Sequence, residues 1–189
     1  NDIADLALYR AIPNLTVVVP ADAGQCCKFI RQSMDFDGPM IIRIDRAGSP
    51  VVYTGDYDLE IGKAIETLEG TDAYIISCGS NIYECLMAAK ALKEKYGAAV
   101  GVLDMHTIKP IDADLIVKSA TKTGHVVTVE EHSVIGGLGS AVADVLCEQC
   151  PTPLKKIGVN DTFGESGPGA ELLHKYGLDA ANIVATTKE

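Results

Sequence analysis

Short apolar runs alternate with longer stretches in which apolar residues return every three or four positions, and these two periods set the element order. A helical pattern over ADLALYRAI stops at Pro13 and Asn14 and gives way to the β-branched run Leu15 to Val19, closed by Pro20. Asp22, with Gln25 three positions on, has the form of a capping box and opens a helix through Phe29 and Ile30 towards Met34. After Gly38-Pro39 a second strand, Met40 to Ile44, ends in Asp45-Arg46. Strand, helix and strand make a right-handed βαβ unit. Two parallel strands cannot bury both their faces, so residues 1–47 are expected to be the tail of a larger sheet with further strands upstream.

Residues 48–60 hold turn formers, scattered aromatics and acids with neither period, and read as a linker. From Ile61 a second unit follows: a short strand in GKAIETLEG, a better one in AYIISCG, and a long helix ending at Tyr96-Gly97. Asn81 and Glu84 are expected to cap that helix reciprocally, and Gly97 to end it in the left-handed conformation. Next come the strand AAVGVLDM, a loop HTIKPI, a helix from Asp112 to Thr123 and the strand HVVTV. A glycine turn leads into a helix reaching Cys150, then the strand PLKKIGV, a long loop NDTFGESGPG and two closing helices in ELLHKYG and AANIVATT. Regular alternation of strand and helix predicts an α/β fold, a three-layer α/β/α sandwich on a mostly parallel sheet over 61–189, preceded by the βαβ remnant.

The densest chemistry lies in HVVTVEEHSVIGGLGSAVADVL. Val126, Val127 and Val129 form a buried strand, Glu130, Glu131 and His132 fall where it ends, and Gly136, Gly137 and Gly139 permit a tight turn before Ser140 opens a helix. Ligand sites in open α/β sheets gather at such strand ends, although many of these turns only connect.

Composition narrows the class. At 47% apolar and 22% charged residues the chain is globular, and no apolar run is long enough to span a membrane, so a cytoplasmic protein is expected. Net charge is −1 over residues 1–47 (six acids, five bases) and −9 over 48–189 (twenty acids, eleven bases), which opposes nucleic-acid binding. Cys26, Cys27, Cys78 and Cys85 read as small buried hydrophobes, and a reducing compartment suits all six cysteines. Cys147 and Cys150 form a C-x-x-C with no second pair and no nearby His to complete a zinc or redox site.

Asp104, His106 and Lys109 follow a strand and are placed at the same sheet edge as Glu130, Glu131 and His132. A His beside carboxylates suits acid–base work, but no nucleophile, metal set or phosphate loop completes a site, so hydrogen bonding across loops or a subunit contact competes with catalysis. Gly136-Gly137-Leu138-Gly139 is not a dinucleotide fingerprint. Asp161, Glu165 and Ser166 lack calcium-loop spacing. Arg43 lies within a strand, where a salt bridge is the expected fate. Arg46 follows the strand beside small residues, leaving it between a ligand for phosphate or carboxylate and a second structural salt bridge.

Together ALYRAIPNLTVVVPAD with GPMIIRIDR, LDMHTIKPID, TVEEHSVIGGLGSAVADVL and GVNDTFGESG with ELLHKYGLD resemble the C-terminal part of transketolase. They match the end of the pyrimidine-binding domain (1–47), a linker (48–60) and the C-terminal domain (61–189), most like the C-terminal subunit of split, two-subunit transketolases. The resemblance implies thiamine diphosphate-dependent transfer of a two-carbon ketol unit from a ketose phosphate to an aldose phosphate, as in the pentose phosphate pathway. It also implies a divalent metal (Mg or Ca), a dimer, an N-terminal subunit or upstream domains as partner, and sugar phosphates as substrates. The family's cofactor-binding and catalytic residues precede the segment matching Asn1 or lie in another domain, so the fragment alone is expected to be inactive, with no catalytic, cofactor or metal residue of its own. Arg46 aligns with the arginine that binds the sugar's terminal phosphate. The family's C-terminal domain has no catalytic residue, which leaves His106, Glu131 and His132 to subunit contact or a regulator. Deoxyxylulose-phosphate synthase and the beta subunits of 2-oxo acid dehydrogenases share the domain pair and are the enzymatic alternatives. A non-catalytic interaction or small-ligand module is the alternative of another class.

Overall fold

The structure, a computed structural model, describes residues 2–46 and 48–188. Its larger sheet is built from β3 (Ile65–Leu68), β4 (Ala73–Ser77), β5 (Val100–Asp104), β7 (Val126–Ser133) and β8 (Leu154–Val159) in the order β3-β5-β4-β7-β8. β4, β5, β7 and β8 run parallel, and only β3 at the edge is antiparallel to its neighbour β5. Strand residues alternate between two apolar layers, as the two-residue period of a pleated strand requires. Tyr74, Ile76, Leu103 and Val126 bury on one face with Ile116 of α4 (Ala113–Thr123) and Leu138 and Val142 of α5 (Leu138–Gln149). Ile75, Val102, Val127 and Val129 bury on the other with Cys85, Ala88 and Leu92 of α3 (Asn81–Tyr96) and Ile183 and Val184 of α7 (Ala180–Thr187). This is the expected three-layer α/β/α sandwich. Short α6 (Gly169–Lys175) precedes α7.

The first segment supplies α1 (Asp5–Ala11), β1 (Thr16–Val18), α2 (Ala23–Ser33) and β2 (Met40–Ile42), with β1 and β2 parallel. One expectation fails here: HTIKPI is not a loop. Its Thr107–Lys109 forms β6, which pairs antiparallel with β1 and gives a three-stranded sheet ordered β2-β1-β6. The partner strand is far away in sequence, so no local pattern announces the pairing. Leu6, Leu15, Val17 and Val19 bury in the same cluster as Ile76, Leu103, Met105 and Ile108, joining the remnant to the sandwich through one apolar layer.

Gly97 ends α3 with φ +72°, as expected of a left-handed terminator. The reciprocal cap by Asn81 and Glu84 does not form. Asn81 Nδ2 donates to the Leu178 carbonyl and Glu84 Oε2 accepts from Ala180 N–H, so both side chains serve the α7 side of the molecule. Asp22 does cap α2: its Oδ1 accepts Gln25 N–H at 2.8 Å while Gln25 Oε1 accepts Ala21 N–H at 2.7 Å. Among the described residues no helix is long and apolar enough to cross a membrane.

The expected linker, 48–60, is held from Val52 onward. Asp22 Oδ2 accepts Val52 N–H and Tyr53 N–H, Lys28 Nζ donates to the Tyr57 carbonyl, Gln32 Nε2 donates to the Leu59 carbonyl, and Leu59 is buried with Val18 and Phe29. Side-chain partners, which no period reports, turn a segment without regular structure into a fixed strap.

Candidate functional site at the strand ends

The carboxyl end of β7 carries the group singled out from sequence. Glu130 is fully buried and its carboxylate receives Leu138 N–H at 2.6 Å and Gly139 N–H at 2.9 Å, so it satisfies the first amides of α5 and meets the positive end of that helix. The helix therefore starts at Leu138, two residues before Ser140. Burial pushes the Glu130 acid up, and the two amides and His132 pull against that push. Gly137 is required by proximity: a Cβ there would stand 2.0 Å from Glu130 Oε2 and 2.5 Å from His132 Nδ1.

His132, also fully buried, faces the first segment. Its Nδ1 lies 2.7 Å from the Ser133 carbonyl and its Nε2 accepts Ala7 N–H at 3.4 Å, which assigns the proton to Nδ1. Asp5 Oδ1 lies 3.9 Å from Nε2, and Asp5 Oδ2 accepts Arg43 Nε–H at 2.8 Å. Arg43 also donates to the Glu131 carbonyl at 3.0 Å, so the salt bridge expected of Arg43 exists and ties β2 to β7 and α1. The Glu131 side chain is half-buried, and its acid is raised by burial and by Asp45. Arg10 adds a further strut, donating to the Gly136 and Gly137 carbonyls and to Asp144.

At the end of β5, Asp104 is fully buried under α2 and the strap. Its Oδ2 accepts Gln25 Nε2–H at 2.8 Å and the Tyr53 hydroxyl at 2.7 Å. Burial lifts its acid to about 7, the two donors oppose this, and Asp22 adds to it. His106, two residues on, is buried edge-on against Phe29, with Nδ1 3.0 Å from Thr107 Oγ1. Burial pushes its imidazole down to about 4. Lys109 leaves this edge altogether and donates to the Arg10 and Ile12 carbonyls at the end of α1. The cluster expected from sequence thus separates into three units: Glu130 with His132, Asp104 with Gln25 and Tyr53, and His106 alone.

The crevice where ligands bind in such sheets is filled. Val19 N–H donates to the His106 carbonyl, and Gly79 N–H, just after β4, donates to the Val19 carbonyl. The carboxyl ends of β4 and β5 are thus closed by the end of β1, and their polar residues serve contact between the two parts of the chain. Asp5, Asp22, Gln25 and Tyr53 are members of this interface that sequence reasoning did not place. Only the Asp22-Gln25 capping signal marked any of them.

Arg46 stands apart. It follows β2 by four residues, is exposed, and makes no ion pair or hydrogen bond with the described residues. Its neighbour Ala47 lies outside them. Of the four cysteines expected to be buried hydrophobes, Cys78 and Cys85 are buried, whereas Cys26 is half-buried and Cys27 exposed; in the C-x-x-C, Cys147 is exposed and Cys150 half-buried. In the loop after β8, Glu165 pairs with Lys175, and among the described residues no group of three or more His, Cys, Asp or Glu could hold a metal ion.

The family model for the transketolase C-terminal domain matches residues 62–183, and that for the transketolase pyrimidine-binding domain matches 1–50. One of the subunits of an apulose-4-phosphate transketolase from Phocaeicola vulgatus is 40% identical over 190 residues, covering 100% of this chain and 60% of that protein. The 6-deoxy-6-sulfo-D-fructose transketolase subunit SqwH of a Clostridium species is 42% identical over 185 residues, covering 98% and 57%. At 33% identity over 192 residues, 1-deoxy-D-xylulose-5-phosphate synthase 1 of Geobacter sulfurreducens also matches, over 100% of this chain and 30% of its own length. Among solved structures, a split-gene transketolase in an inactive beta4 tetramer superposes with a TM-score of 0.94 at 49% identity, over 100% of this chain and 61% of that one. The chain thus spans about 60% of the length of the split-transketolase relatives it matches. It belongs to the transketolase family, as the end of the pyrimidine-binding domain followed by the C-terminal domain, and is most like the C-terminal subunit of the split forms.

Proposed function

We propose that this chain is part of the C-terminal subunit of a split transketolase that moves a two-carbon ketol unit between sugars ending in an anionic group, and that Arg46 receives that group. The observation that carries the reading is the contrast between the two arginines that follow β2. Arg43 is consumed by Asp5 and a carbonyl, whereas Arg46, at the strand end where ligands lie, is exposed and free of ion pairs with the described residues. Its guanidinium can take a phosphate through two parallel hydrogen bonds. The names of the two split relatives support an anionic tail, since one specifies a 4-phosphate and the other a 6-sulfo sugar.

Thiamine diphosphate, when bound, supplies the carbanion chemistry of the family. Since the chain spans about 60% of its split-transketolase relatives and matches the pyrimidine-binding domain over residues 1–50, we assign the cofactor and a divalent Mg or Ca ion to an N-terminal subunit or upstream domains, and infer that this part alone is inactive. The solved neighbour's inactive beta4 tetramer supports both that inference and self-association of such subunits. A place in the pentose phosphate pathway and in the cytoplasm belongs to the same proposal.

The test is Arg46→Ala in the complete protein with its partner subunit. Charge-assisted hydrogen bonds contribute about 1.5–3 kcal/mol each, so kcat/KM for phosphorylated acceptors should fall roughly tenfold to more than a hundredfold. Glycolaldehyde, which has no anionic tail, should lose little. Equal losses for both acceptors would assign Arg46 to the fold and remove the reading.

A further inference from the structure

The loop from Ile44 to Val51, which bears Arg46, is strung between two anchors. At one end Arg43 N–H donates to the Val18 carbonyl and the Arg43 side chain to Asp5. At the other, Asp22 Oδ2 accepts Val52 N–H at 2.8 Å and Tyr53 N–H at 3.0 Å, and the Tyr53 hydroxyl reaches Asp104 Oδ2 at 2.7 Å. Between the anchors no hydrogen bond joins the described residues of the loop to the rest of the chain. The second anchor rests on acids alone. The groups facing Asp104 are Asp22 and Gln25 from α2 and its cap, Tyr53 and Tyr57 from the strap, and Cys78 after β4; His106, two residues past the end of β5, faces Phe29 and Thr107, and burial keeps its imidazole neutral at physiological pH. The charge that acts on Asp104 is another carboxylate, and Asp104 Oδ1 has no partner among the described residues.

We infer that Asp104 is a positioning residue: its buried carboxyl group clasps the strap through Tyr53, loosens it on gaining charge, and so sets the loop that carries Arg46. A buried carboxylate without a cation is stabilised by any opening that lets water reach it. Ionisation therefore favours the lifted strap, and the neutral acid favours the closed one. Burial holds the acid at about 7 when the strap is closed, and entry of water lowers it, so lifting is more frequent at pH 8 than at pH 5.5, by at most roughly thirtyfold in the limit of a full return to the ordinary ~3.9.

Hydrogen–deuterium exchange on the complete protein, corrected for intrinsic rates, reads this directly. Protection of the Val52 and Tyr53 amides, which donate to Asp22, should fall severalfold as pH rises from 5.5 to 8. In Asp104→Asn, whose amide keeps the shape and can still accept from Tyr53, protection should stay high and flat. A flat wild-type profile, or a profile that persists in Asp104→Asn, overturns the inference. Should that variant fail to fold, Tyr53→Phe serves instead: it removes the clasping hydroxyl and should lower protection of the Val52 amide, and unchanged protection there is equally fatal. The importance of the loop to catalysis rests on the reading of Arg46 given above, but the exchange does not. In the complete assembly KM for a phosphorylated acceptor should follow the same pH profile, with kcat unmoved, and lose it in Asp104→Asn. A KM that ignores Asp104 while Arg46→Ala still separates the two acceptors refutes the positioning role. Failure of Arg46→Ala to separate them refutes the arginine's role and leaves the clasp to the exchange data.

Discussion

Substituting Gly137 by Ala probes whether Glu130 begins α5. The backbone φ of Gly137 is −81°, open to residues with side chains, so the penalty is steric. The new methyl would stand 2.0 Å from Glu130 Oε2 and 2.5 Å from His132 Nδ1, both on fully buried side chains with no room to swing away. Relief requires Glu130 Oε2 to leave Leu138 N–H, now at 2.6 Å. That removes a charge-assisted bond and strands a buried amide, which together cost about 3–5 kcal/mol. For a chain of this size each kcal/mol lowers Tm by about 2–4 °C, so a drop of roughly 6–20 °C is expected in thermal unfolding followed by circular dichroism at 222 nm. Gly169→Ala is the control: nothing lies within 4 Å of the added methyl, and stability should stay within about 0.5 kcal/mol. A Gly137→Ala protein destabilised by less than about 1 kcal/mol would mean that the turn tolerates a displaced carboxylate and that Glu130 is not what pins the helix.

Because the folded Asp104 acid titrates at about 7, well above its ordinary value, folding favours its protonated form. The associated stability is full in acid and is lost as pH rises through 7, by up to about 4 kcal/mol; urea unfolding between pH 4.5 and 8 should show the decline, and Asp104→Asn should flatten it. The proposed division at 48–60 is tested by limited proteolysis. The strap is pinned at four backbone groups, whereas the loop at 160–168 is exposed throughout with Phe163 95% exposed, so the first cut is expected in that loop and an earlier one in 48–60 would restore a free linker. Isothermal calorimetry of this chain with thiamine diphosphate and magnesium should give no saturable heat, and low-micromolar binding would reveal a site that the side chains described do not suggest.

The order of elements was legible because each is announced within a turn or two of itself. The β-branched run at Leu15–Val19 reports a buried strand, Asp22 with Gln25 reports a helix start, and Gly97 reports a helix end. The distinctive stretches at 104–112 and 125–146 carried the family in the same local way. Arg43, expected inside a strand, stands just past the end of β2, yet the salt bridge expected of it forms, with a partner, Asp5, that the sequence could not name.

By itself, then, the sequence determined the α/β class, the order of strands and helices apart from β6, the family and the separation of a salt-bridged Arg43 from Arg46. Tertiary structure alone decided what the polar residues do. Glu130, grouped by sequence with His106 and Asp104, caps its own following helix. Asp104 finds its donors 79 and 51 residues away, and Thr107–Lys109 becomes a strand only because β1 lies beside it. The physical reason is range. Periodicity and capping express backbone geometry over a few residues, whereas a buried polar group must be satisfied by whichever donors the packed fold brings within about 3 Å. That choice is made by the whole chain at once.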